Sequence, residues 1–97
     1  MSDHRQALLV FFSSARSGPS RRMESLVAHI AHKERHRLRV MQVDVDRRTD
    51  LVQKLAIAEA PALVLVVNRK PVARLDGRTS APKIEAMLEQ HLAAVAV

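Results

Sequence analysis

The chain has no cysteine, tryptophan or tyrosine, and only two glycines and two phenylalanines in 97 residues. Without cysteine it can form no disulfide staple, no thiolate metal site and no thiol nucleophile. Both phenylalanines, Phe11 and Phe12, fall inside one apolar run. That leaves no aromatic platform on which single-stranded nucleic acid could stack. Two Gly and four Pro give little material for linkers, and no repeat or low-complexity segment breaks the chain. No apolar run approaches the roughly 18 residues that a membrane span needs. The opening residues lack the charged-then-apolar pattern of a secretory leader. These absences imply a cytoplasmic protein with no membrane partner and no specific nucleic-acid partner.

What is present is a chain 47% hydrophobic with a net charge of +6, carried by 16 Lys and Arg against 10 Asp and Glu. That length and composition suit one domain with a modest core. Residues 1–6 are polar and read as a flexible N-terminus ahead of a single domain over 7–97. The charge points to acidic partners or anionic ligands. Its plain structural reading is a set of solvated faces, because the basic residues are scattered and Arg35-His36-Arg37-Leu38-Arg39 is the one dense block.

Hydrophobic periodicity gives the order β-α-β-α-β-β-α. Ala7 to Phe12 is a continuous apolar run, as in a strand covered on both faces. A helix is expected from Pro19 to about His36, with Met23, Leu26, Val27, Ile30 and Ala31 inward. Leu38 to Val45 alternates as a second strand, with Leu38, Val40 and Gln42 on one face and Arg39, Met41 and Val43 on the other. Arg47 to Ile57 reads as a shorter helix opened by Asp46 or Thr49. Ala62–Val67 and Pro71–Leu75 form a hairpin around Asn68-Arg69-Lys70. The last helix is capped by Thr79 or Ser80, with Pro82 in its first turn and Glu85 in register for a capping box. Ile84, Met87, Leu88, Leu92 and Val95 form its inward stripe, and His91 lies at the edge of that stripe. The first two strands should pair in parallel through a right-handed crossover. The expected class is therefore α/β, a mixed four-stranded sheet with helices on both faces.

Between the first strand and first helix stands Arg16-Ser17-Gly18-Pro19-Ser20. Ser17 is suited to cap the helix by accepting a backbone N–H from its first turn. Pro19 suits an early helical position, where no amide proton is required. This segment, at this place, resembles the Trp-Cys-Gly-Pro-Cys motif of thioredoxins. Val43-Asp44-Val45-Asp46, Glu59-Ala60-Pro61-Ala62-Leu63, Asn68 to Pro71 and Gly77 agree in order and spacing with further features of that family, across about residues 7 to 92. The resemblance implies a minimal thioredoxin-like fold with strand order 2-1-3-4 and a cis-proline at Pro61. Departures are as telling. Ser17 and Ser20 stand at the two cysteine positions, Arg16 at the tryptophan, Phe11 at the buried aspartate and Gln42 at a nearby lysine. The family's first strand and helix have no counterpart.

Disulfide exchange is thereby excluded, and Ser17, Gly18, Pro19 and Ser20 are a vestigial motif with no catalytic residue assigned. The resemblance implies a peptide groove of Arg16, Ser17, Ala60, Pro61 and Gly77, where an extended protein segment, acidic given the charge, would add as a strand. Arg16, Arg21 and Arg22 at the helix N-terminus form a candidate anion site. Serine nucleophilic chemistry lacks a base near Ser17. Two rivals are a glutathione-like thiol held by Ser17 and a disulfide reductase with its cysteines changed to serine. The divergence at Arg16, Phe11 and Gln42 speaks against the second. His29, His32 and His36 share a solvent face, and His32 and His36 have metal-compatible spacing. No carboxylate completes that set, so neither metal nor cofactor is assigned. Leu38–Val45 becomes a sheet edge, guarded by Arg37 and Arg39 or paired in a two-fold dimer.

Overall fold

The computed structural model describes residues 7–92. The expectations for residues 1–6 and for Val95 lie outside the described residues. Seven elements follow in the order β1 (Ala7–Ser13), α1 (Gly18–Lys33), β2 (Leu38–Asp44), α2 (Thr49–Lys54), β3 (Ala62–Val67), β4 (Lys70–Asp76) and α3 (Ala81–Leu92). They form one four-stranded sheet of order β2-β1-β3-β4. The β1–β2 pair is parallel, while β1–β3 and β3–β4 are antiparallel. The architecture is the mixed α/β sheet that the element order implies, in the strand order 2-1-3-4 that the resemblance implies.

Strand β1 is apolar at nearly every position because the sheet is covered on both faces. Leu9 and Phe11 point to one face and join Leu63 and Leu65 of β3 beneath α1 and α3. Val10 and Phe12 point to the other and join Val43, Ala62 and Val64 beneath α2 and Ile57. This two-sidedness extends to β2. Val43 is buried, because it lies opposite Phe12 on the α2 face, whereas Gln42, opposite Phe11, is exposed. Alternation groups Val43 with Arg39 and Met41, as the register does, but leaves open that this face is covered.

Helix boundaries also differ. The first helix stops at Lys33 rather than His36, because Glu34 leaves the helical region (φ −105°, ψ 18°). Glu34 is only 8% exposed. Its carboxylate accepts from Arg37 Nε at 2.7 Å, and Arg37 Nη2 donates to Glu89 of α3 at 3.3 Å. Lys33 Nζ reaches Glu85 of α3 at 2.7 Å. That hydrogen bond and charge hold the Glu85 carboxyl below its ordinary range and the Lys33 ammonium above its own. Glu85 thus ties α3 to α1 and forms no capping box.

The second helix spans six residues, not eleven. Its N-cap is Arg48, with no side-chain cap bond, so neither Asp46 nor Thr49 caps it. It ends in a Schellman motif: Ile57 N–H donates to the Val52 carbonyl at 2.9 Å, and Ala56 N–H to that of Gln53 at 3.2 Å. Ala56 takes φ +53° at the position that normally favours glycine. Arg74 of β4 compensates, donating to the Leu55 and Ala56 carbonyls at 3.0 and 3.3 Å. The hairpin turn is two residues, Asn68-Arg69, both at positive φ as a type I′ turn requires, and Lys70 belongs to β4.

Candidate functional site

The site is built at the end of the sheet where β1 gives way to α1. After Ser13 the chain turns sharply: Ser17 N–H donates to the Ser14 carbonyl at 3.0 Å, and Arg16 N–H to Ser14 Oγ at 3.2 Å. Ser17 then adopts extended backbone (φ −98°, ψ 116°) as the N-cap, and its Oγ accepts from Ser20 N–H at 3.1 Å. Gly18 and Pro19 are the first two helical residues, so the missing proline N–H is one that α1 would leave unpaired anyway. A Cβ on Gly18 would meet only the tip of Arg22, at 4.0 Å. Steric demand therefore does not account for that glycine.

Ser20 is fully buried, and its Oγ has no hydrogen-bond partner. A thiol tolerates such a place, since cysteine packs as a small hydrophobe with a weak donor. A hydroxyl there bears its full desolvation penalty. Ser20→Ala is therefore expected to stabilise the protein by about 1 kcal/mol, the lower end of the cost of an unsatisfied buried group. Urea denaturation measures this, and a loss of stability would show that the hydroxyl has a partner in solution.

The register brings the second part of the groove alongside. Phe12 lies opposite Ala62, and Ala62 opposite Asp76. Ala60-Pro61 and Gly77, one step beyond those pairs, therefore sit at the same end of the sheet as the loop before α1. The Ala60–Pro61 peptide bond is cis. Gly77 holds φ +76°, a region that side chains avoid, and its N–H donates to the Pro61 carbonyl at 2.8 Å. Pro61 itself is buried, while Ser17, Ala60 and Gly77 are half-buried. Among the described residues, the Ala60 N–H and C=O have no backbone or side-chain partner. A half-buried backbone edge with both groups free is what strand addition requires.

Arg16, Arg21 and Arg22 are exposed, and none is ion-paired among the described residues. The first turn of α1 contains no acidic side chain, so positive charge dominates this end. At the position where the resemblance implies a lysine, Gln42 Nε2 donates to Ser13 Oγ at 3.0 Å and to Glu24 Oε2 at 3.3 Å. Phe11, 1% exposed, fills the position of the family's aspartate with hydrocarbon. His29, His32 and His36 are all exposed, and no group of three metal-ligating side chains occurs among the described residues. The sequence places Ala60 in a strand-addition groove but gives no sign of the orphaned Ser20 hydroxyl or of which Ala60 groups are unpaired. The resemblance pointed at both positions, but hydrogen-bond accounting needs the fold.

Comparison with known proteins agrees. Residues 1–90 match the Thioredoxin family model. The chain is 30% identical over 90 residues to a thioredoxin of Griffithsia pacifica, covering 91% of this chain and 81% of that one. It is 29% identical over 85 residues to a thioredoxin-like protein of Synechocystis, covering 88% and 78% respectively. Fasciola hepatica thioredoxin superposes with a TM-score of 0.84 at 22% identity, over 92% of this chain and 84% of that structure. Among the described residues, no helix is long and apolar enough to cross a membrane.

Proposed function

Because this chain belongs to the thioredoxin family and has no cysteine with which to exchange a disulfide, we propose that it is a redox-inactive member acting as a binding or scaffold module. Its ligand is an extended, acidic segment of a partner protein, held at the face where the resemblance places the redox motif. The observation that carries this reading is the free backbone edge of Ala60 beside the loop of Arg16 and Ser17. The segment's backbone pairs with that edge, and Gly77, with no Cβ, leaves room for it to approach. Arg16, Arg21 and Arg22 select acidic side chains through charge-assisted hydrogen bonds. Ser17 serves as the helix cap. With its oxygen accepting from Ser20 and no base bonded to it among the described residues, it has no route to nucleophilic chemistry.

The proposed compartment is the cytoplasm, since there is no cysteine to exploit an oxidising one. The proposed state is a monomer. Arg39 stands exposed on the open edge strand β2, and a net charge of +6 opposes self-association.

The test compares proteins retained from the source lysate by the wild-type chain and by the Arg16→Glu, Ala60→Glu double variant, after thermal melts show equal folding. Loss of a defined partner only with the variant is the expected result. Equal recovery would place binding elsewhere on the surface.

A further inference from the structure

A second surface, on the opposite face from α1 and α3, lies away from the Ser17–Pro61 end. Helix α2 has only six residues and covers only part of its side of the sheet. Leu8 and Val66 on that side are only partly buried, and Val72 is 41% exposed. By register Met41 shares this face through its pairing with Val10, and it is 38% exposed. These are the two large hydrophobic side chains most open to solvent in the described structure. Where α2 ends, a cleft of about 410 Å³ opens between Lys54, Leu55 and Ala56 on one side and Pro71, Val72, Ala73 and Arg74 of β4 on the other, with Val64 beneath.

Three features define what fits there. The first is the edge. The β3–β4 register shifts at Leu65/Val66, and Pro71 offers no N–H, so β4 is blunted against an added strand. The occupant must fill the surface with side chains rather than extend the sheet. The second is size. Three strand spacings of about 4.8 Å make the whole face roughly 14 Å wide, and with α2 over part of it the open remainder takes no more than a single helix about 10 Å across. The third is charge. Lys54 on the cleft wall, Arg39 at the far side, and Arg69 and Lys70 at the hairpin are exposed and make no ion pair among the described residues. The acidic residues near this face, Asp44, Asp46, Asp50 and Asp76, belong to its other end, around the N-terminal side of α2 and the last residue of β4. A second copy of a +6 chain would meet like charge here. A bilayer is disfavoured too, because the apolar floor is recessed beside α2 rather than raised to insert.

We propose that this half-covered sheet face docks an amphipathic α-helix of a partner protein, its apolar stripe on Leu8, Val66 and Val72 and its acidic flank against Lys54 and Arg39. The inference is independent of the peptide groove. A fluorescent 18-residue peptide with one leucine face and glutamate flanks is the probe, with a scrambled peptide of the same composition as control. Anisotropy should show saturable binding of the amphipathic peptide alone. Val72→Asp should weaken it about tenfold or more, as expected for a central apolar anchor. Lys54→Glu should weaken it less, and should weaken it most at low salt. Both positions lie at the surface, and thermal melts establish that the variants fold. Arg16→Glu should leave this binding unchanged. Equal binding of the scrambled peptide, indifference to both variants, or binding to phosphatidylserine vesicles without binding to the peptide would each overturn the proposal.

Discussion

Replacing Phe11 with aspartate, the residue the thioredoxin pattern carries there, should unfold this protein or come close to it. Phe11 is 1% exposed and packs in the cluster with Met23, Val27 and Leu63. Truncating such a ring costs about 3–5 kcal/mol through lost transfer energy and the cavity left behind. An unpaired carboxyl in the same space adds a desolvation cost of at least about 1 kcal/mol even when protonated. Against typical domain stabilities of roughly 5–15 kcal/mol, that removes much or all of the margin. Phe11→Leu, which keeps hydrocarbon in the site, should cost only about 1 kcal/mol. Urea denaturation of the two variants decides the matter. If Phe11→Asp stayed within about 1 kcal/mol of wild type, the site would have to retain a polar pocket, and the view that Phe11 is a core packing residue would be wrong.

The next largest effect is expected at Arg37. Its guanidinium lies between the nearly buried Glu34 and Glu89 of α3, at 2.7 and 3.3 Å. Hydrogen bonding to Glu34, above all, holds the Arg37 pKa above its ordinary value. Arg37→Ala would leave the Glu34 carboxylate without that bond, 8% exposed at the end of α1. The expected loss is about 1–3 kcal/mol, as for a buried polar group deprived of its partner. Glu34→Gln combined with Arg37→Met should recover much of it, because a buried ion pair replaced as a unit is often neutral. Thermal melts of the single and double variants give the coupling. If Arg37→Ala were neutral, Glu34 would be solvated by water and the link between α1 and α3 would rest on packing and the Lys33–Glu85 pair.

Much of the fold was legible because the signals are periodic. The 3.6-residue stripe of Met23, Val27 and Ile30 and the apolar run of β3 locate their elements from sequence alone, and the stripe and Ala62 to Leu65 are buried. The strand order followed once the resemblance was recognised. What the sequence concealed depends on neighbours distant along the chain. Val43 shares a face with Arg39 and Met41 by alternation, which leaves its burial opposite Phe12 unmarked. Helix α1 ends early where Glu34 accepts from Arg37, which also donates to Glu89 of α3. Helix α2 is short because Ala56 accepts a left-handed conformation with Arg74 bonded to the carbonyls it leaves behind. No local pattern encodes such a long-range partner.

At the site, the motif residues could be named in advance from the resemblance, but their state could not. Whether Ser20 had a partner and whether the Ala60 edge was free are questions of hydrogen-bond accounting. The cleft beside α2 left no mark in the sequence, since Lys54 and Val72 are unremarkable until the sheet sets one near the other.

The most direct test of the binding reading is selection from a random twelve-residue peptide library against the wild-type chain, followed by amide chemical-shift mapping of the selected peptide. The account predicts acidic, extended sequences whose largest shifts fall on Arg16, Ser17, Ala60 and Gly77, and which the Arg16→Glu, Ala60→Glu variant fails to retain. Selected peptides that bind the variant equally, or that map away from those four residues, would contradict it.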